Sequence, residues 1–414
     1  MCPSMQRNTS PRTARQWELL HGNAIISWME SSGVKQRMLN DTCRAVDQAV
    51  AMFAQGYDNA NVALQILSQY PDVLRSCDDL DFNDPHQATA YLAVHLADRY
   101  CRVWQVLEGL LQAGRLPLGK GPTFSALDVG AGPGPGIFAV RHFYAALAHF
   151  TNLHKSEYRV MPLGRAEGIE RSWGMSHAMH IFAEMLLLAE NGESRSREKT
   201  HDKNPCHREL AFSAMPFGAS HNDFEKFSPQ EMRVAVRRPL PLAQGYYTGY
   251  EEDDISWAEA NGYASKEPSS TPNAYALVLM MNFLTTNKMV EQFDASLDRL
   301  MRTSLVPGGT ILCLGSASKD KGYHEIYATL DQKAQAAHLL LLKDLPSIYQ
   351  AGVSPMVLQT VAGSVRSIWK NLEGPNPATE VREQLKQMGA SDIYDETIPF
   401  TLPKFKLQAY RQDR

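Results

Sequence analysis

The chain has 414 residues, 44% of them hydrophobic and 21% charged, and a formal net charge of −4. That is the balance of a globular chain long enough for two or three domains. It holds no run of about 18 apolar residues to cross a membrane and no overall basic footprint for nucleic acid. The six cysteines, at positions 2, 43, 77, 101, 206 and 313, stand singly. That spacing encodes neither a zinc ribbon nor a thioredoxin-like pair, no metal is expected, and a reducing, cytoplasmic setting suits it.

The first residues, MCPSMQRNTSPRTARQ, carry Arg7, Arg12 and Arg15 before the first acid, Glu18. This is faintly like an organellar transit peptide, but Pro3 and Pro11 weaken any amphipathic helix, and a frayed tail is expected. From about Arg12 to Ala113 apolar residues recur every three or four positions. Trp17–Trp28, Met38–Gln55, Val62–Leu74 and the long stretch Ala88–Leu111 therefore read as helices. They make up an N-terminal helical region, residues 1–115. Gly114, Pro117, Gly119 and Gly121 then break the chain, and a second region, 116–414, begins. The simplest arrangement leans the helices on the adjoining sheet, as a lid over its ligand pocket.

Phe124–Gly136 reads FSALDVGAGPGPG. An apolar strand-like run ends at Val129, a glycine-rich turn comes next, and Ile137–Phe150 reads as a helix. Strand, turn and helix are the first unit of a nucleotide-type α/β sheet. A Walker loop would end Gly-Lys-Ser/Thr and this one does not. A dinucleotide fingerprint needs a glycine where Pro135 stands, which counts against a nicotinamide-dependent oxidoreductase. What remains is a strand-borne Asp128 followed by G-x-G-x-G.

Thr151–Gly164 reads as an inserted loop, and Ala166–Glu170 as the second strand, ending in an acid. In a doubly wound sheet such an acid accepts hydrogen bonds from ribose hydroxyls. Glu170 lies 38 residues beyond Gly132, against the usual spacing of about 20. If the inserted loop does not absorb the excess, Glu157 is the alternative acid. A purely structural role for Glu170, compensating the dipole of the next helix, is the competing reading. In that helix, Met175–Leu188, His177 and His180 read as ordinary residues.

Polar stretches fill 191–229 and 246–272. His201, Cys206 and His207 lie in the first, without metal-ligand spacing. Arg233–Leu242 reads as the third strand, cut short by Pro239 and Pro241. Ala274–Thr285 is continuously apolar, as in a strand buried on both faces. Met289–Thr303 has helical period, and Leu305–Gly315 reads as a turn and another buried strand. Helices are expected at Tyr323–Leu342, Val353–Leu372 and Glu380–Met388, and a last hairpin at Ile398–Tyr410. The basic clusters Arg233, Arg237, Arg238 and Lys404, Lys406, Arg411, Arg414 read as solvated faces.

Three phrases in the right order, Asp128-Val-Gly130-Ala-Gly132-Pro-Gly134, the run ending at Glu170, and Leu305-Val-Pro-Gly-Gly…Gly315, resemble the class I S-adenosylmethionine-dependent methyltransferases. The resemblance covers roughly residues 120–320. It implies an α/β fold, a doubly wound, mostly parallel Rossmann-like sheet of seven strands. It also implies S-adenosylmethionine as cofactor and methyl transfer to an acceptor, RNA or a small molecule. The residues it points to are Asp128 as an anion near the sulfonium and Gly130, Ala131, Gly132, Pro133 and Gly134 as the loop. Glu170 falls at the ribose, Arg171 next to it is a further cofactor-binding residue, and Asn282 falls where substrate and cofactor meet, with a structural cap of the next helix as its competing reading. The Asn/Asp-Pro-Pro-aromatic phrase of many amino-methylases is absent, since Met281-Asn-Phe-Leu stands there. A narrower likeness joins Tyr91–Tyr100, Glu170–Ser172 and Gly315–Tyr323 to the methyltransferase-like proteins of mitochondrial small-ribosomal-subunit assembly and their bacterial relatives. Those proteins carry a cysteine set for an iron–sulfur cluster, which this chain lacks. The alternative reading is a non-catalytic S-adenosylmethionine-binding assembly or interaction protein.

Overall fold

A computed structural model describes residues 13–54, 59–76, 80–118, 125–156, 158–160, 163, 165–197, 217–220, 224–226, 275–317, 323–349, 383, 387 and 404–412. Four helices come first: α1 (Ala14–Ser31), α2 (Val34–Ala54), α3 (Asn59–Ser76) and α4 (Pro85–Gln112). Their starts reflect capping chemistry. Thr13 Oγ1 accepts from Gln16 N at 3.2 Å. Asp84 Oδ1 accepts from His86 N at 2.8 Å, with Pro85 at the first helical position of α4. A proline there sacrifices no helical hydrogen bond.

The sheet begins with β1 (Ser125–Val129), α5 (Pro135–Leu153), β2 (Arg165–Ile169), α6 (Trp173–Arg197) and β3 (Phe217–Ser220). It continues with β4 (Tyr275–Met281), β5 (Leu305–Ser316), the two-residue β6 (Leu340–Leu341) and β7 (Ile348–Tyr349), and β8 (Phe405–Arg411). The order across the sheet is β3-β2-β1-β4-β5-β8-β6, with β7 also pairing β8. β1 to β5 run parallel, and β8 runs antiparallel to β5. This is the doubly wound, mostly parallel α/β sheet that the resemblance implies, with a helical N-terminal region.

Alternation along the strands feeds two cores. Leu277, Leu279, Leu312, Leu314 and Leu407 face one side and pack with Trp17, Met29, Val46, Tyr70, Trp104, Phe143 and Phe182. Helices α1 to α6 thus share one apolar interior with the sheet. Val278, Met280, Ile311 and Cys313 face the other side and meet Leu297, Leu300, Ile326 and Leu330. Those partners come from the helices Asp294–Thr303 and Tyr323–Ala336.

Several expectations are corrected. The third strand is Phe217–Ser220, inside a stretch read as loop, whereas Arg233–Leu242 lies outside the described residues. Phe-Gly-Ala-Ser has almost no apolar run. It is a strand because its main chain pairs in parallel with Ala166–Ile169. Met289–Thr303 is two helices, Asn287–Gln292 and Asp294–Thr303, because the backbone at Phe293 leaves helical geometry (φ −95°, ψ 13°). The helix from Tyr323 stops at Ala336, and Leu340–Leu341 pair with β8 instead. Among the described residues the sheet has seven strands along the path from β3 to β6, and the two-residue β7 pairs β8 beside it. The Pro-Gly-Gly phrase lies within β5, beside a register shift against β4. Thr151–Leu153 belong to α5 and 191–197 to α6. Of the helix expected at Glu380–Met388, Glu383 and Gln387 are described, and both are helical. Glu157, His201, Cys206, His207, 246–272 and Val353–Leu372 lie outside the described residues.

Candidate functional site

The chain leaves β1 toward β2 on one side, while β4 pairs β1 on the other. In an open α/β sheet the crevice at such a switch point, outside the carboxyl ends of the strands, is where ligands bind. A cleft of about 380 Å³ opens there, inside the size range of small-molecule sites.

Its sheet wall is built by the glycine loop. The N–H groups of Gly130 and Ala131 donate to Ile169 O at 2.9 and 3.1 Å, so β1 is tied to β2 at the point where it ends. Gly130, Gly132 and Gly134 have φ of +67°, +54° and +85°, a region costly for other residues. A Cβ on Gly132 would meet nothing within 4 Å, so that position faces open space. One on Gly130 would lie 2.5 Å from the Phe283 ring. Gly132 N donates to Glu170 Oε2 at 2.8 Å, and Ser172 N donates to Glu170 Oε1 at 2.7 Å. Glu170 thereby clamps the loop to the start of α6. Burial pushes its carboxyl up, and the two N–H groups pull it back down.

Asn282 ends β4 with φ +51°, a strained value outside glycine, while its N–H donates to Leu314 O at 2.7 Å. The turn aims Phe283 across the cleft, where it stacks on Phe293 at 5.0 Å and meets Phe224 edge-on at 5.3 Å.

The opposite wall comes from the N-terminal helices. Leu80, Asp81 and Phe82, ahead of α4, and Tyr91 and Arg99 on α4 line it. Ser172 Oγ donates to Phe82 O, and Trp173 N donates to Asn83 Oδ1 at 3.3 Å, which pins this loop to the N-terminus of α6. Ser172 Oγ also accepts from Met175 N at 3.1 Å and so caps α6.

Of the residues singled out from the sequence, Gly130, Gly132, Glu170, Arg171 and Asn282 line the cleft together. Asp128, Ala131, Pro133 and Gly134 are buried and do not line it. Asp128 lies against the first turn of α5: a Cβ on Gly136 would be 2.5 Å from its Oδ2. Burial and the charge of Glu170 raise its pKa to about 8, countered by the Ile137 N–H. The anion expected beside a ligand is therefore beneath the loop, one layer below the cleft. Leu80, Asp81, Phe82, Tyr91, Arg99, Phe224, Met289, Gln292 and Phe293 were not legible as site residues. They come from elements far apart in sequence, with no motif to mark them.

No protein-family model matches the chain, and no curated protein sequence is similar to it. Solved structures similar to it include a loganic acid methyltransferase with S-adenosylhomocysteine, 8% identical, TM-score 0.36, covering 79% of this chain and 96% of that one. A putative methyltransferase of Haloferax volcanii, in complex with its Trm112 activator, is 14% identical with TM-score 0.34, covering 81% and 98%. The plantazolicin methyltransferase BpumL with S-adenosylhomocysteine is 11% identical with TM-score 0.31, covering 92% and 99%. Similarity at this level carries no functional argument; the strand order and the cleft do. Among the described residues, no group of three or more His, Cys, Asp or Glu could hold a metal, and no helix is long and apolar enough to cross a membrane.

Proposed function

We propose that the chain binds S-adenosylmethionine in this cleft and transfers its methyl group to an acceptor, RNA or a small molecule. The observation that carries the reading is the contact of Glu170 with Gly132 N at 2.8 Å. It sets an acid at the end of the second strand directly against a glycine loop at the switch point. Each Glu170 oxygen accepts one N–H and keeps further lone-pair capacity for a ribose hydroxyl.

The chain's own atoms fit such a ligand. The open space at Gly132 lets a ligand approach the main chain. Both Asp128 oxygens are buried without a side-chain partner, a latent negative charge beneath the loop that a cationic sulfonium would answer. The aromatic faces of Phe283, Phe293 and Phe224 offer a stacking wall.

When bound, S-adenosylmethionine supplies an already activated methyl group, so the work left to the protein is orientation and exclusion of water. Glu170, with Arg171 beside it, holds the sugar. The loop Gly130–Gly134 supports the donor from below, with Ala131, Pro133 and Gly134 as buried scaffold. Asn282 and Phe283 stand where donor and acceptor meet. The loop ahead of α4 closes the far side.

The test is calorimetric titration of the purified protein with S-adenosylmethionine, S-adenosylhomocysteine and NAD in parallel. Micromolar binding of the first two and none of NAD is expected. Absence of binding to both adenosyl ligands would sink the reading. Binding without turnover on any RNA or metabolite pool would favour a non-catalytic assembly protein instead.

A further inference from the structure

Beneath the glycine loop lies a carboxyl group for which the described residues supply no counter-charge. Asp128, the last residue but one of β1, is 1% exposed, and neither of its oxygens has a side-chain partner. Its neighbours favour the neutral acid. β4 brings Leu279 and α5 brings Gly136, on which a Cβ would lie 2.5 Å from Asp128 Oδ2 and 2.8 Å from Leu279 Cδ1. The end of β2 brings Glu170, whose charge adds to burial in disfavouring a second anion, and the main-chain N–H of Ile137 opposes both. The charges of α4, α5 and α6 on that side of the sheet are engaged with one another, Arg99 and Arg102 with Asp98 and Arg141 with Glu190. Arg171, exposed at the cleft, acts on Glu170.

Two carboxyls thus lie within Coulombic reach of each other, and they are not equivalent. Glu170 lines the cleft and accepts from Gly132 N and Ser172 N. Asp128 is deeper, and an unpaired buried anion is costly. The charge therefore rests on Glu170 and the proton on Asp128. The same reach works in the other direction. Since the charge of Glu170 in the cleft wall is felt at Asp128, a cation bound beside Glu170 is felt there with the opposite sign.

We propose that Asp128 releases its proton when S-adenosylmethionine binds and retains it when S-adenosylhomocysteine binds. These ligands differ by one methyl group and by the positive charge on sulfur, so Asp128 is the group that separates donor from product by charge. This rests on the S-adenosylmethionine reading and deepens it. When the donor binds, the O–H bond of Asp128 breaks and the proton passes to the solvent. Once the methyl group has left, the sulfur is neutral, a proton returns from the solvent to the carboxylate, and the attraction that favoured the donor is gone.

The experiment counts protons. The full chain is titrated near neutral pH with each ligand in phosphate, imidazole and Tris, whose heats of protonation differ. The slope of binding heat against buffer heat gives the protons released. Asp128, with a pKa of about 8, is still largely protonated there. S-adenosylmethionine should therefore release about 0.5 to 1 proton more than S-adenosylhomocysteine. Because binding expels a proton, the affinity ratio of donor to product should rise about 3- to 10-fold from about pH 6.5 to 7.5 and level off above about pH 8. Asp128→Asn has no proton to lose, and both ligands should then release equal amounts. Equal release by both ligands in the wild type overturns the proposal, whether or not the variant folds. A difference that survives in Asp128→Asn also overturns it and moves the proton to Glu170. A wild type that binds neither ligand refutes the proposed function itself.

Discussion

At Gly132 the backbone is left-handed and a side chain would project into the cleft, whereas at Gly130 it would strike Phe283. Gly132→Arg is therefore expected to abolish S-adenosylhomocysteine binding by filling the site, at a backbone strain of about 1–3 kcal/mol. Calorimetry alongside a thermal melt checks both parts, and a variant that binds normally would refute the pocket assignment. Asp128 carries a pH prediction. Its folded pKa of about 8 stands above the ordinary carboxylate value of 3.8. Below the unfolded value both states hold the proton. As pH rises toward 8 the unfolded chain releases it while the folded chain retains it, so stability falls. Glu18, raised to about 8 by burial, acts in the same direction. His95, His142, His154 and His177, pushed down by burial, act oppositely, but above about pH 7 they are mostly neutral in both states. From pH 7 to 8 the melting temperature of the ligand-free protein should fall. Asp128→Asn should flatten part of that slope, and an equally steep slope in the variant would contradict the assignment.

The cleft's far wall depends on one contact between elements, the loop ahead of α4 seated on the N-terminus of α6. A Cβ on Gly174 would lie 2.4 Å from Phe82 O and 3.0 Å from Asp84 O. Those atoms are main chain and cannot step aside alone. Gly174→Ala should therefore shift Leu80, Asp81 and Phe82, costing about 1–3 kcal/mol, the usual range for overpacking. It should also weaken S-adenosylhomocysteine more than a mere loss of stability explains. Denaturant melts paired with binding titrations test this, and unchanged affinity would show that the loop does not form the wall. None of this was visible in the sequence. Gly174 and Phe82 are separated by the whole of α4, β1, α5 and β2, and neither belongs to a motif. The helices themselves were legible, because each repeats apolar residues every three or four positions and needs no distant partner to be recognised.

Across the molecule, α4, α5 and α6 are tied by a buried polar chain. Glu190 Oε1 and Oε2 accept from the two terminal nitrogens of Arg141, each at 2.8 Å. His142 Nε2 lies 2.7 Å from Glu190 Oε1, and its Nδ1 lies 2.8 Å from Tyr100 Oη. Burial lowers the pKa of His142, so the ring is neutral. A neutral ring has one donor and one acceptor, which assigns Nε2–H to Glu190 and lets Nδ1 accept from the tyrosine. Glu190→Gln would leave Arg141 buried without its anion, a loss of about 3–5 kcal/mol. Because the chain does not touch the cleft, ligand affinity measured below the new melting point should be kept. A variant as stable as the wild type would show that the pair contributes little.

Local order in the chain decides the strands, the helices and the glycine turn. Apolar period, capping residues and positive-φ glycines act over a few residues and hold wherever the segment ends up. The acid at the end of the second strand was also readable, since Glu170 directly follows the short strand-like run that ends at Ile169. The site as a volume was not. Its helical wall, the aromatic cluster around Phe283, the edge strand Phe217–Ser220 and the burial of Asp128 under α5 all arise from contacts between segments far apart in sequence. Such contacts depend on how the elements pack, and packing leaves no periodic trace in the segments it joins.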